Sequence, residues 1–218
     1  MSRGATRPWK WTTLQAVLTH FSVFPQIQVI ALDAALGAGD NNALVAHLAT
    51  HALIRAGGGV RSAARARQLI EQGAHRVIIG TAAFERPLLE AIIAAVGKDR
   101  LIIALDSRGG RVVIRGWREA TEVAAEDVIQ QLEPCCSGFL CTYVDKEGLL
   151  QGTDLAWFRR LRAATSHELT AAGGITTTAE IRALHALGIH AALGMALYTG
   201  SLSLDALAGM REDGGGIE

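Results

Sequence analysis

The feature that most constrains the fold is an internal repeat. The segment "RAGGGVRSAARARQLIEQGAHRVIIGTAAF" (55–84) returns as "AAGGITTTAEIRALHALGIHAALGMALYTG" (171–200). With Gly59 aligned to Gly174, the two copies lie 115 residues apart (174 − 59 = 115). Each copy predicts a short strand, a glycine turn, a helix opened by Ser or Thr, and a second apolar strand. Such a unit is two successive βα modules, and a period of this length indicates a fold built from two related halves.

Apolar runs of strand length recur along the chain, with helical patterns between them. They cover residues 26–33, 52–56, 76–80, 100–106, 138–142, 168–172 and 190–194. Their near-continuous apolar character is typical of parallel strands buried on both faces. The helical patterns fit residues 12–22, 41–50, 62–72, 86–96, 122–133, 153–165, 178–187 and 203–209. Repeated βα units give a doubly wound sheet or a closed barrel, and the duplicated half favours the barrel.

The predicted fold is therefore an α/β chain of the (β/α)8 TIM-barrel class, built from two repeated half-barrels. No linker-like stretch interrupts it, so we expect one domain over residues 1–218. Its first element is the helix 12–22, and the strand that should precede this helix is missing. Residues 1–11 are expected to be irregular or to supply a substitute strand, and residues 211–218 to form a frayed tail.

The composition indicates a packed globular protein with no bias toward charged partners. Lys plus Arg and Asp plus Glu number 21 each, so no overall field attracts nucleic acid or an acidic membrane. No apolar run approaches the roughly 18 residues of a transmembrane helix, and the first residues lack the apolar core of a signal peptide. We therefore expect a cytoplasmic protein. The clustered Cys135, Cys136 and Cys141 fit reduced structural thiols better than a disulfide framework or a metal site.

The repeated glycine turns predict two phosphate-binding corners. Turns after the strands form the active-site face of such a barrel, and glycines there let backbone N–H groups approach an anion next to a helix N-terminus. Arg61 is equally compatible with an ordinary surface arginine. Two opposed corners predict a ligand with a phosphate at each end. The candidate residues are Gly58, Gly59, Arg61, Gly80 and Thr81 in the first corner, and Gly173, Gly174, Gly194 and Met195 in the second.

Polar side chains also follow the strands between these corners. Asp106 closes an apolar strand, where a carboxylate with a raised pKa can act as an acid, although it fits a loop cap equally well. Thr142 is a hydroxyl candidate for the barrel mouth or a structural residue, and Asp145 is expected to order its own loop. His75 and His190 occupy matching helix-to-strand junctions away from this face and are expected to be structural.

The motifs "GGGVRS", "LDSRGGRVVIRGW", "VDKEGLLQGTD", "AAGGIT" and "GMALYTG", in this order, resemble the phosphoribosyl isomerase family of histidine biosynthesis. The resemblance spans about residues 26–205. It implies the conversion of the aminoaldose N'-(5'-phosphoribosyl)formimino-5-aminoimidazole-4-carboxamide ribonucleotide to its aminoketose, without metal or organic cofactor. It also implies Asp106 as general acid and Thr142 as a second catalytic residue. Arg115 and Trp117 would lie in a loop that closes over substrate, where an indole can stack on a flat heterocycle.

The chain departs from this family at the general base, which by resemblance closes the first strand. Carrying Asp106 back by the repeat offset leads to a position upstream of Met1 (106 − 115 = −9). A longer upstream sequence, a substitute strand from residues 1–11, or a homodimer covering the open edge would each fill the gap. A non-catalytic barrel that binds phosphorylated sugars is the alternative function, and an isomerase serving both histidine and tryptophan pathways is another. Tyr143 and Leu149 also replace an acidic residue and a threonine of the family.

Overall fold

The computed structural model describes residues 18–19, 21–37, 39–114 and 119–212. The predicted segment 1–11, most of the predicted helix 12–22, and residues 213–218 lie outside the described residues. The strands of the described chain form one sheet: β1 (Ile27–Ile30), β2 (Ile54–Gly57), β3 (Arg76–Ile79), β4 (Leu101–Arg108), β5 (Arg111–Ile114), β6 (Glu119–Ala124), β7 (Gly138–Tyr143), β8 (Glu168–Ala172) and β9 (His190–Ala191). All but β5 and β6 run parallel, in the order β1-β2-β3-β4-β7-β8-β9. The seven predicted parallel strands are therefore confirmed.

Helices follow the strands as the repeat predicts, and the predicted hydroxyl caps are present. Ser62 accepts the backbone N–H of Arg65 at 3.1 Å, and Thr177 accepts that of Glu180 at 3.2 Å. The helices of the described chain are α1 (Leu32–Leu36), α2 (Asn42–Ala49), α3 (Ala63–Glu71), α4 (Arg86–Val96), α5 (Ala125–Leu132), α6 (Leu155–Ala164), α7 (Thr178–Ala186), α8 (Met195–Tyr198) and α9 (Leu204–Glu212). Helix α9 includes Arg211 and Glu212, the first two residues of the predicted tail, and the frayed tail stays a prediction.

The first strand is shorter than its apolar run predicts. β1 ends at Ile30, and Asp33 lies in the first turn of α1 instead of closing the strand. The Ala31 N–H donates to the Gly57 carbonyl at 2.9 Å, and this bond is the end of the ladder because β2 turns away at Gly58. The partner strand, and not the apolar run itself, therefore sets the end of β1.

A β-hairpin follows β4 that the sequence analysis did not predict. β4 pairs antiparallel with β5, and β5 with β6, so residues 122–124 extend a strand where a helix was expected. Gly109 and Gly110 form the turn with φ angles of 56° and 79°. Two consecutive residues with positive φ are the requirement of a type I′ hairpin turn. The Gly-Gly pair after an apolar strand was the available signal.

The parallel sheet curls strongly, and one side-chain contact measures this. Arg55 on β2 donates to the hydroxyl of Thr170 on β8 at 3.3 Å. Four strand spacings separate β2 from β8, which is about 19 Å in a flat sheet at roughly 4.8 Å per strand. Only a strongly curled sheet lets one arginine side chain bridge these strands.

Apolar side chains fill both faces of the curled sheet. Inside it, Ile78, Ile102 and Leu140 form a buried cluster with three alanines. A larger layer lies between the strands and the helices, with the fully buried Trp157 and Phe139 among its members. No helix in the described part of the chain is long and apolar enough to cross a membrane. The curled parallel sheet is the shape that the barrel prediction required, whereas the single domain over 1–218 stays a prediction.

Candidate active site

Asp106 and Thr142 lie side by side at the carboxyl end of the sheet. They are register partners on β4 and β7. Ile102 and Leu140, four and two residues earlier on these strands, lie in the inner cluster. Because side chains alternate along a strand, Asp106 and Thr142 share that inner face. Their neighbours below are apolar, and Thr142 is buried while Asp106 is partly buried. The structure thus brings the two predicted catalytic residues together.

A second carboxyl group stands near Asp106 that the sequence analysis did not single out. Glu147 follows the 3₁₀ turn Val144–Lys146 after β7. Burial and the charge of Asp106 raise the pKa of Glu147 above its usual range. The charge of Asp106 therefore favours the protonated form of Glu147, which suits a site that moves protons. The acidic residues of "VDKEG" were the signal, and only the fold could tell which one lies within reach of the Asp106 charge.

The two glycine corners have the same backbone conformation. The φ angles are 94° and 66° at Gly58 and Gly59, and 95° and 77° at Gly173 and Gly174. A Cβ added at Gly58 would lie 2.4 Å from the Ala31 carbonyl oxygen, and one at Gly173 would lie 2.5 Å from that of Tyr143. Close approach to the preceding strand's last residues therefore requires glycine at both places. The two copies of the sequence repeat therefore have the same backbone conformation at these glycines.

Each corner also contains a glycine after the next strand, Gly80 or Gly194, and this glycine has open space beside it. Gly80 has φ −103° and ψ −109°, and Gly194 has φ −128° and ψ −101°, so these two also match. Gly80 precedes the 3₁₀ turn Thr81–Phe84, and Gly194 precedes α8, whose first residue is Met195. A Cβ added at either glycine would meet nothing within 4 Å. Packing does not require glycine here, and the space suits a ligand approaching the backbone.

Glu180 ties the second corner together, a role that sequence reasoning missed. Its carboxylate accepts the N–H groups of Thr176 and Thr177 at 3.1 Å each, and that of Thr153 at 2.6 Å. Burial alone would raise the pKa of Glu180, but these hydrogen bonds outweigh it, and the pKa is lowered. The ionised carboxylate therefore joins the loop after β7 to the corner after β8. The capping-box pattern "TTAE" was its signal.

Arg65 occupies the position of Glu180 in the first copy (180 − 115 = 65). Its guanidinium donates to the side chain of Asn42, which begins α2. In each copy, the third residue of the helix thus contacts the segment that follows the neighbouring strand. Arg65 contacts the segment after β1 and Glu180 the segment after β7, although the two residues carry opposite charges. Arg61 lies beside the same corner, is exposed, and donates to the Ala35 carbonyl at the end of α1.

Asp145 orders a neighbouring loop and not only its own. Its carboxylate accepts the N–H of Gly109 at 2.7 Å and lies 3.9 Å from Nε of Arg108. Gly109 is in the turn of the β4–β5 hairpin, so Asp145 ties the segment after β7 to this turn. Arg115 and Trp117, the two predicted substrate-binding residues, lie outside the described residues.

The histidine candidates lie away from the carboxyl end of the sheet, where Asp106 and Thr142 are. His75 precedes β3 and His190 begins β9, at the opposite end of the sheet from Asp106, as expected. In the described ranges, no group of three His, Cys, Asp or Glu side chains could hold a metal ion. The three cysteines form no disulfide, and burial raises the pKa of Cys136 to about 12.

These features define a class of protein: a repeat-built α/β chain with a curled parallel sheet, carrying matched glycine corners and a carboxyl group between them. Comparison with known sequences gives the particular family. Residues 16–203 match the family described as histidine biosynthesis protein. The chain belongs to this family.

Three relatives share one name, 1-(5-phosphoribosyl)-5-((5-phosphoribosylamino)methylideneamino)imidazole-4-carboxamide isomerase. The protein from Gemmatimonas aurantiaca is 39% identical over 189 residues, which cover 85% of this chain and 80% of the relative. Those from Methanocaldococcus jannaschii and Thermus thermophilus are 36% and 39% identical, over 82% of this chain and 77% and 78% of their own lengths. The resemblance drawn from the motifs is confirmed.

Proposed function

We propose that this chain is the histidine-pathway isomerase that converts the phosphoribosylformimino aminoaldose to its aminoketose. One observation carries the proposal. The two repeated corners have matching backbone angles and stand on either side of Asp106 and Thr142 in the sheet order. A substrate with a phosphoribosyl group at each end fits two such corners, and its reacting sugar would then lie between them. The names of the relatives support the same reaction.

The proposed fold is a (β/α)8 barrel completed by an eighth strand, and the proposed location is the cytoplasm. The phosphate ligands would be the backbone N–H groups of both corners, assisted by Arg61 and by the N-terminal ends of α3 and α7. Gly80 and Gly194 have the open space that such an approach needs. We expect no metal or organic cofactor. A homodimer stays a prediction.

The proposed reaction is an acid–base isomerisation in which no net oxidation occurs. Asp106 protonates the ring oxygen of the ribose, and the C1–O bond opens to an imine. A base then removes the C2 proton, which gives an enolamine, and protonation at C1 with loss of the C2 hydroxyl proton yields the ketose. In this proposal the Thr142 hydroxyl donates a hydrogen bond to the reacting oxygen beside Asp106. Holding both phosphates limits the freedom of the sugar, a contribution worth up to about 7–11 kcal/mol in well-oriented reactions.

The test is turnover of the aminoaldose by the 218-residue chain, with Asp106→Asn beside it. Loss of a general acid should lower kcat by about 10²- to 10⁴-fold while substrate binding persists. The matched control is Asp99→Asn in the turn before β4, at the opposite end of the same strand. Turnover unchanged in Asp106→Asn would show that the acid is another residue.

The same experiment separates the isomerase from a non-catalytic barrel. Binding of the bis-phosphorylated ligand without turnover by the unmodified chain would favour the phosphosugar-binding alternative. Turnover of phosphoribosylanthranilate as well would favour the dual-pathway isomerase.

A further inference from the structure

Two histidines stand about one helical turn apart at the end of α2. His47 lies in the last turn of this helix, and His51 follows it four residues later. Residues separated by four along a helical turn share one face. The two imidazole rings are 4.6 Å apart, centre to centre, with 37° between the ring planes. Both residues are exposed, so an ion in solution can reach the pair.

The hydrogen bonds of His51 fix which of its ring nitrogens is free. Nδ1 lies 2.9 Å from the carbonyl oxygen of His47. A carbonyl oxygen can only accept, so Nδ1 carries the proton and donates it. The Thr50 hydroxyl, 2.8 Å away, accepts the same N–H, because its own hydrogen is donated to the His47 carbonyl at 2.7 Å. In the neutral ring of His51, Nε2 therefore keeps its lone pair.

This is the arrangement that a metal-binding histidine needs. In metal sites one ring nitrogen binds the ion, and the other donates its N–H to a backbone carbonyl or a similar acceptor, which orients the ring. His51 has this oriented ring, with Nε2 as the free nitrogen. His47 can supply the second nitrogen: in the described part of the chain its ring contacts that of His51 and forms no hydrogen bond.

The spacing of the rings fits two ligands of one ion. A metal–nitrogen bond of about 2.0–2.1 Å places the centre of an imidazole ring roughly 3.2 Å from the ion. Two such rings would have centres about 4.5 Å apart at a right angle and about 5.2 Å apart at a tetrahedral angle. The observed 4.6 Å matches the right angle. Square-planar and tetragonal sites with this angle are typical of Cu²⁺ and Ni²⁺.

The backbone that carries the pair is held in place by the rest of the fold. Val45 and Leu48, on the buried side of α2, are 1% and 6% exposed. The N–H of Thr50 donates to the His47 carbonyl at 3.3 Å, and that of His51 donates to the Leu48 carbonyl at 3.0 Å. Binding an ion therefore orders little beyond two side chains, and a preorganised site loses less free energy on binding.

We propose that His47 and His51 form a binding site for a divalent transition-metal ion of the Ni²⁺ and Cu²⁺ class, with water completing the coordination. Imidazole nitrogens suit these metals, whereas Mg²⁺ and Ca²⁺ prefer oxygen ligands. Because α2 leads into β2, the site lies at the amino end of the sheet, whereas Asp106 lies at the carboxyl end. The ion takes no part in the proposed isomerisation. It clamps the end of α2, and an ion that binds only the folded chain stabilises it.

The test is isothermal titration calorimetry of the full chain, without an added histidine tag, with NiCl₂. Ni²⁺ should bind in a saturable step of one ion per chain, and CaCl₂ should give none. His47→Gln and His51→Gln each remove one of the two ligands and should each weaken Ni²⁺ binding at least tenfold. The matched control is His185→Gln, since His185 also lies in the last turn of a helix, but its neighbours four residues away are Ile181 and Ile189.

Unfolding links the site to the folded state. Saturating NiCl₂ should raise the Tm of the unmodified chain and of His185→Gln, and should leave that of His47→Gln unchanged. Ni²⁺ affinity that is the same in both pair variants as in the unmodified chain would overturn the proposal, and so would equal binding of Ca²⁺. The readouts are binding and unfolding, so their failure is distinct from a failure of the proposed isomerase activity.

Discussion

The inner face of the curled sheet holds a three-residue charge cluster whose loss should be measurable. Glu168 Oε1 lies 2.6 Å from Arg55 Nη1, and Oε2 lies 2.8 Å from Arg76 Nη1. The side chains of Glu168 and Arg76 are 21% exposed and that of Arg55 is 6% exposed. The substitution Glu168→Gln keeps the shape and removes the charge, leaving the buried Arg55 and the partly buried Arg76 without a counterion.

We expect this substitution to lower the free energy of unfolding by about 3 kcal/mol, the lower end of the range for breaking a buried ion pair, because the cluster is not fully buried. For a chain of this size, that is a fall in Tm of roughly 6–12 °C. The control is Glu90→Gln, since the Arg86–Glu90 pair has 72% and 59% exposed side chains and should contribute nothing measurable.

The loss of unfolding free energy caused by Glu168→Gln should also depend on pH. Burial alone would raise the pKa of Glu168, but the charges of Arg55 and Arg76 outweigh it, and the pKa is lowered. A carboxyl whose pKa is lower in the folded state stabilises the protein above its unfolded value, roughly 4.3 for Glu. The difference between the unmodified protein and Glu168→Gln should therefore be constant near neutral pH. It should shrink as the pH falls below that value, through the lower folded pKa.

Urea unfolding of the full chain, followed by circular dichroism at several pH values, measures this difference. Equal losses in Glu168→Gln and Glu90→Gln would refute the reasoning. A difference that grows as the pH falls toward 4 would refute it as well, since it would mean that the pKa of Glu168 is raised in the folded protein.

Two further substitutions test the loops around the site. Gly173→Ala places a side chain at φ 95° and 2.5 Å from the Tyr143 carbonyl oxygen, so it should lower the free energy of unfolding by more than about 1 kcal/mol; an unchanged urea midpoint would contradict the close approach. Asp145→Ala removes the acceptor for the Gly109 N–H in the turn of the β4–β5 hairpin, and the resulting loss of order in this turn should raise KM about five- to tenfold with kcat nearly unchanged. Steady-state kinetics checks it, and a loss of kcat as large as that of Asp106→Asn would instead place Asp145 among the reacting groups.

The parallel strands and the helix starts were predictable because local signals specify them. Apolar runs of strand length predicted all seven, and Ser62 and Thr177 predicted where α3 and α7 begin, since their hydroxyls satisfy backbone N–H groups nearby. The hairpin after β4 had an equally local signal in Gly109 and Gly110 that was overlooked. The strands, the helix starts and the overlooked hairpin are all specified by residues that are neighbours in the sequence.

The residues that hold the site together were not predictable in this way. Glu180 carries a capping-box pattern, but its bond to Thr153 depends on how two loops meet. Asp145 looked like a residue of its own loop, and its partner Gly109 is 36 residues away. Glu147 gained its place beside Asp106 only through the turn after β7. No local sequence pattern predicts these contacts between loops, because each contact depends on the curvature of the whole sheet.

The sequence by itself determined the repeated βα units, the two glycine corners and the order of the strands, because periodicity and turn chemistry act over a few residues. Only the tertiary structure decided that Arg55 on β2 meets Glu168 on β8 across the sheet. The physical reason is that strand twist and side-chain packing together set the curl of a sheet, and the curl decides which distant residues share its interior.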